Sequence, residues 1–276
     1  MHTRPIPSSG EALPVIGLGT YVGFDVTAGH TKHAHLPGVL DALFGAGGSV
    51  IDSSPMYGRA EATTGALLSA PPARPRAFIA TKVWTRGRDA GVKQMQQSMK
   101  LLRTQCIDLM QVHNLLDWQI HLATLRDWKA AGHIRYLGVT HYTSSAYADL
   151  EAVLRAEPLD FVQLNYSVAD RAAEQRLLPL AAERGVAVLV NLPLGSGAVL
   201  RSVKHVALPP IAAELECTSW AQLLLKYVIG HPVVTCAIPG TGKAAHMADN
   251  ARAGTGPLPD AALRERILRC WSDASA

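Results

Sequence analysis

Eight short apolar runs, each followed by a segment of helical periodicity, predict an α/β fold of one kind, a (β/α)8 TIM barrel formed as a single domain over residues 1–276. Two further observations agree. The 276 residues match the roughly 250 that such a barrel uses as one domain. The 48% hydrophobic and 17% charged residues suit parallel strands that are buried on both faces.

Taken in order, the segment before Ile16 carries PSSGE between two short apolar runs, which predicts a small hairpin. Strands follow at 16–20, 50–52, 77–82, 107–113, 136–140, 161–164, 187–191 and 233–238, each rich in Val, Ile, Leu or Phe. Residues 193–210, rich in Gly and Pro, predict a long loop after the seventh strand, of the kind that folds over a bound ligand. A helix is predicted over 244–251, directly after IPGTGK. Backbone amides at such a helix start bind phosphate, and barrels often place phosphate after strands seven and eight. IPGTGK is not a Walker A loop, because Ala237 stands where the first Gly is needed and Ala244 where Ser or Thr is needed.

Several function classes are disfavoured. The net charge of +4 comes without a basic block, which argues against nucleic acid as a partner. The opening MHTRPIPSSGEALP has no apolar leader core, and no later stretch reaches the roughly 20 apolar residues of a membrane span, so a cytoplasmic protein with no membrane partner is expected. Cys106, Cys217, Cys236 and Cys270 are widely spaced and predict neither disulfides nor zinc. His30, His33 and His35 lack a completing carboxylate or thiolate nearby and read as solvated loop residues, so no metal is assigned.

The chemistry concentrates at three strand ends. Asp52 closes the run VID and Tyr57 lies in the SSPMYG that follows it, Lys82 lies in FIATKVW and His113 in IDLMQVHN. A parallel barrel gathers all such ends on one face, so an acid, a phenol, an amine and an imidazole meet there. Singly, each has a duller reading as a helix cap, a rim residue or a structural hydrogen-bonder. Together they suit proton-coupled hydride transfer, which needs an acid at the oxygen and a hydride donor that no side chain can be. Tyr57 is the expected acid, Lys82 is expected to lower its pKa, Asp52 to hold Lys82 charged and His113 to orient the carbonyl. Tyr21, Phe24, Trp84 and Trp118 fall in loops around the same mouth and predict an aromatic substrate pocket.

With IGLGTY (16–21), Asp52 and the SSPMYGRAE after it (52–61), ATKVW (80–84), RYLGVTHY (135–142), FVQLNYS (161–167) and AIPGT (237–241) in that order, the chain resembles the aldo-keto reductases over nearly its whole length. The resemblance implies that the N-terminal hairpin closes the barrel's bottom and that Asp52, Tyr57, Lys82 and His113 are the catalytic tetrad. The implied activity is reduction of a small-molecule aldehyde or ketone by NADPH, with NADH possible. No GxGxxG opens a βαβ unit, so a Rossmann site is not indicated. The implied cofactor contacts are Gly19, Thr20, Tyr21 and Asp52, then Thr140, His141 and Gln163 at the nicotinamide amide, where the family commonly has Ser, Asn and Gln. Asn191 replaces a stacking aromatic, and Leu192, Leu194 and Ser196 follow it. Ile238, Gly240 and Thr241 come next, with Lys243 and His246 at the 2'-phosphate and Asp249 and Asn250 at the adenine. The end of the chain at Ala276 leaves little room for a long C-terminal loop, so an open pocket is expected on a monomer or weak oligomer. Two other classes are carried: a Schiff-base aldolase using Lys82 as nucleophile, and a cofactor-binding regulatory subunit with little turnover.

Overall fold

A computed structural model of the chain describes residues 1–27, 31, 33–69 and 76–275. Two short strands, β1 (Thr3–Pro5) and β2 (Ala12–Pro14), pair antiparallel as the predicted hairpin. Eight parallel strands then appear close to their predicted places: β3 (Leu18–Gly19), β4 (Val50–Asp52), β5 (Phe78–Val83), β6 (Ile107–His113), β7 (Ile134–Thr140), β8 (Phe161–Asn165), β9 (Ala187–Asn191) and β10 (Val234–Ala237). They pair in sequence order from β3 to β10, and bridges Ile16 to Ala237 and Gly19 to Gly240 join the first to the last. The sheet is therefore a closed barrel.

Helices fill the connections: α1 (Leu36–Gly45), α2 (Ala60–Leu68), α3 (Arg88–Leu101), α4 (Trp118–Ala130), α5 (Tyr147–Ala156), α6 (Leu177–Glu183), α7 (Ala198–Ser202), α8 (Ile211–Glu214), α9 (Trp220–Ile229), α10 (Ala244–Arg252) and α11 (Ala261–Ser275). The predicted long loop at 193–210 is only partly a loop, because α7 forms inside it. The helix predicted at 244–251 is α10, one residue longer.

Strand parity decides what lies inside the barrel, since successive side chains point to opposite faces. Val50, Phe78, Ala80, Leu109, Tyr136, Phe161, Ala187 and Leu189 form an inner cluster with Ile6 and Leu13 of the hairpin region. Ile51, Ile79, Met110, Val112, Leu137, Val139, Val162, Val188 and Val190 point outward and pack against the helices. Followed along the inward parity, the apolar layer at the bottom gives way to Asp52, Lys82, Gln111, His113, Thr140, Gln163, Asn165 and Asn191 at the C-terminal end. One physical rule, alternation on parallel strands, thus delivers a polar cluster onto an apolar plug.

The bottom is sealed separately. Arg4 donates to the carbonyls of Ile229 (2.6 Å), His231 (2.7 Å) and Val234, tying the hairpin to β10. Arg135 bridges Asp108 and Glu11, and Tyr136 donates to Glu11 at 2.6 Å.

The outer layer contains one very close approach. A Cβ on Gly65 of α2 would stand 2.0 Å from Leu101 O and 2.8 Å from Leu102 Cα, both backbone atoms at the end of α3. Gly65→Ala should therefore force α2 and α3 apart and cost about 1–3 kcal/mol or more. Urea unfolding checks this, with a lower midpoint at unchanged slope as the expected result.

Candidate active site

Lys82 Nζ is fully buried and makes hydrogen bonds of 2.9 and 2.7 Å to the two oxygens of Asp52 and of 2.7 Å to Ser53 O. Burial alone would pull the Lys82 pKa down, but Asp52 and Tyr57 outweigh it and hold the ammonium above its ordinary value. Burial pushes Asp52 above the usual carboxylate range, while Lys82 and Gln163 pull it back. With both oxygens on one ammonium, the pair is matched and ionised.

Tyr57 lies over this pair, with Lys82 Nζ 5.1 Å from its ring centre. The expected lowering of its pKa is not the net result. Burial pushes the phenol up by more than Lys82 pulls it down, and Asp52 adds to the rise. The consequence is a phenol that keeps its proton at neutral pH beside a cation ready to stabilise its anion.

His113 is buried on the other side, 6.1 Å from the Tyr57 ring in an edge-on arrangement. Its Nδ1 lies 3.1 Å from Ser54 Oγ, which in turn accepts the Met56 amide at 3.4 Å. Where the Ser54 hydroxyl gives its hydrogen to Nδ1, the neutral ring carries its own hydrogen on Nε2. Burial, together with Lys82, lowers the His113 pKa to about 3, so the ring is neutral. Ser54 is a residue that sequence reasoning misses; its only signal is its place between Asp52 and Tyr57.

The rim is apolar. Tyr21 and Trp84 are exposed, with Tyr21 5.0 Å from the Tyr57 ring and Trp84 6.4 Å from His113. Val22, Met56, Tyr142 and Leu192 are exposed around them. Phe24 does not belong to this pocket. It is 0% exposed and packs into the core between sheet and helices, because its loop folds back so that the Phe24 amide reaches Thr20 O. Trp118 lines a groove with Asn114, Leu115, Asp149, Ala152 and Val153, beside the C-terminal end of β6 and α5.

Backbone strain marks the same face. Val22 (φ 63°), Asn114 (54°), Leu115 (55°), Asp117 (48°), Leu192 (50°) and Ser196 (52°) are left-handed without being Gly, and all follow the C-terminal ends of barrel strands. A β-branched residue such as Val22 is a true outlier there, and such residues gather at functional sites.

The aldo/keto reductase family model matches residues 15–266. The chain belongs to this family. A methylglyoxal reductase of Escherichia coli, YeaE, is 29% identical over 261 residues, covering 91% of this chain and 89% of its own. YhdN, an aldo-keto reductase of Bacillus subtilis, is 27% identical over 205 residues, 69% of this chain and 61% of its own. An aldo/keto reductase from Klebsiella pneumoniae, crystallised with NADP and acetate, superposes with a TM-score of 0.81 at 26% identity over 98% of this chain and 96% of that one. The chemistry of the family is carbonyl reduction on small molecules.

In this aldo-keto reductase the other predicted contacts are distributed unevenly. Thr140, Gln163 and Asn191 stand together at the ends of β7, β8 and β9, with Thr140 opposite Gln163 in the ladder. Gln163 is already committed, since its Oε1 accepts Gln111 Nε2 at 2.8 Å and its amide serves Asp52. Asn191 Oδ1 is buried without a partner, as is Asn114 Oδ1. Thr20 is 0% exposed, and its hydroxyl lies 2.9 Å from Asp52 O and 3.0 Å from Ser53 Oγ, bracing β3 on β4. Gly19 allows close approach, because a Cβ there would stand 2.9 Å from Ile238 O.

At the start of α10, Lys243 and His246 are exposed and Thr241 Oγ1 accepts the Lys243 amide at 3.1 Å. Leu194 is half-buried and Ser196 exposed across the loop after β9. Asp249 is engaged by Ser219 (2.8 Å) and Gln222 (2.6 Å), and Asn250 is buried, so both brace α10 against the structure beneath it instead of presenting free edges. Among the described residues no group of three or more His, Cys, Asp or Glu could hold a metal ion, and His30 lies outside them. No helix among them is long and apolar enough to cross a membrane.

Proposed function

We propose that this barrel reduces aldehydes or ketones to alcohols with NADPH, using Tyr57 as proton donor. The observation that carries the reading is the Asp52–Lys82 pair buried beneath Tyr57, with neutral His113 facing the same space. A nicotinamide dinucleotide fits the residues present. The orphan acceptor Asn191 Oδ1 calls for a donor such as a carboxamide N–H. Lys243 and His246 offer cationic and polar side chains at the start of α10, where a 2'-phosphate would meet the helix N-terminus. The Klebsiella pneumoniae relative crystallised with NADP supports the same cofactor class.

When bound, the dinucleotide supplies the hydride. His113 Nε2–H and the Tyr57 hydroxyl hold the carbonyl oxygen, and Tyr57 gives it a proton as negative charge develops. Lys82 stabilises the phenolate left behind, and Asp52 keeps Lys82 in place. The exposed Tyr21, Val22, Met56, Trp84 and Leu192 present apolar surface that suits apolar carbonyl compounds.

The Schiff-base reading loses support. A nucleophilic amine must be free and neutral, whereas Lys82 is charged and occupied by Asp52 and Ser53. Fluorescence titration with NADPH and NADH, followed by turnover on a carbonyl panel, tests the proposal. Micromolar NADPH binding with turnover is expected, and tight binding without turnover would favour a regulatory role. Lys243→Ala should weaken NADPH about tenfold and leave NADH nearly unchanged; equal losses for both would remove Lys243 from the phosphate site.

A further inference from the structure

Among the described residues, His113 and His141 stand at the mouth, and the proton transfer above uses only His113. His141 directly follows β7; its amide reaches Gln163 O at 3.2 Å, and the preceding Thr140 stands in register with His113 across the sheet. The ring is half-buried and lies parallel to Tyr142, with centroids 5.7 Å apart. Its Nδ1 is 3.3 Å from the Thr143 amide and 3.3 Å from the Thr143 hydroxyl. A backbone amide can only donate, so in the neutral ring Nδ1 accepts and Nε2 carries the hydrogen. The tautomer is thus set by the loop.

Among the described residues, the groups that act on this ring are Asp149 of α5 and His113 of β6, with Tyr142 on its own loop. Burial pulls the His141 pKa below its ordinary value, and Asp149 pulls it back towards it. His113 stays neutral down to about pH 3 and adds no charge above that. Between these two described imidazoles, His141 is the one with a carboxylate, Asp149, acting to favour its charged form, and it protonates below the ordinary imidazole range.

We propose that His141 makes this site discriminate between the two redox states of its dinucleotide. The inference rests on the dinucleotide reading above. Neutral, His141 offers Nε2–H to the nicotinamide amide, which suits either form. Protonated, it loses the Nδ1 acceptor that Thr143 uses and sets a positive charge against the pyridinium ring of NADP+, whereas the dihydropyridine ring of NADPH is uncharged. Acidification then selects the reduced form. By linkage, NADP+ affinity falls as pH drops through the His141 pKa and recovers above it, with a limit of about tenfold per pH unit.

The test is a pair of fluorescence titrations, with NADP+ and with NADPH, on the full chain from about pH 8 to about pH 4.5, well below the ordinary imidazole range. The quantity read is the ratio of the two dissociation constants, because titration of the 2'-phosphate, which both forms carry, alters both and cancels. The ratio of NADP+ to NADPH dissociation constants should rise several-fold on acidification in the wild type and stay flat in His141→Asn and His141→Gln. A flat wild-type ratio with both forms bound would overturn the role of His141 and leave the reductase reading standing. A rise that persists in both variants would overturn it as well, by moving the effect to another group. If neither form binds at any pH, the dinucleotide reading fails first and takes this inference with it.

Discussion

Tyr57→Phe should lower carbonyl reduction by about a hundredfold to ten-thousandfold, the usual weight of a positioned general acid, while NADPH affinity changes little. The asymmetry follows from geometry. Lys82 Nζ lies 5.1 Å from the centre of the Tyr57 ring, and the substitution removes a single oxygen from an otherwise intact ring near Tyr21 and His113. The loss should appear in kcat more than in KM, because the proton moves only in the transition state. The pH profile adds a second reading. Burial holds the phenol above its ordinary pKa, so the proton is present through neutral pH and is lost only on the alkaline side. His113, at about 3, contributes no acid limb at moderate pH. A Tyr57→Phe enzyme that keeps its turnover would end the assignment.

Lys82→Met should remove activity and also destabilise the fold, by about 3–5 kcal/mol at neutral pH, because Asp52 would be left as a buried, unpaired carboxylate. Raising the pH cannot repair this. Lowering it partly can, since protonating Asp52 removes the unmatched charge; the variant's deficit should shrink as pH falls through the raised Asp52 pKa. The double variant Asp52→Leu with Lys82→Met separates the two effects. Thermal or urea unfolding should show much of the stability restored, while turnover stays absent. A Lys82→Met chain as stable as wild type across pH would mean that the pair is not the matched, ionised couple its geometry describes.

How much of this was legible in the sequence depends on periodicity. Asp52, Lys82 and His113 were readable because a strand alternates inward and outward, and a polar residue at the end of an apolar run on the inward parity has one place to go. Phe24 departs from expectation for the opposite reason. It sits in a loop, where nothing periodic in the sequence fixes which way a side chain turns, and it turns into the core. Gln163 with Gln111, and Ser54 with His113, needed knowledge of neighbouring strands that no single stretch of sequence carries. The net rise in the Tyr57 pKa was hidden likewise, since burial depends on how the loops pack and not on which residues they contain.

The ring of strands closes through Ile16 with Ala237 and Gly19 with Gly240, partners roughly 220 residues apart in the chain. During synthesis the first strand therefore emerges long before its last neighbour exists. Until then β3 and the newest strand each present an unsatisfied edge, open to pairing with the wrong chain. The hairpin and Arg4, which grip the carbonyls around β10, cannot seal the bottom until that end has left the ribosome. The seam that completes the barrel also unites Gly19 with the Gly240 loop leading into α10, so the two ends of the mouth meet in the same event that removes the last sticky edge.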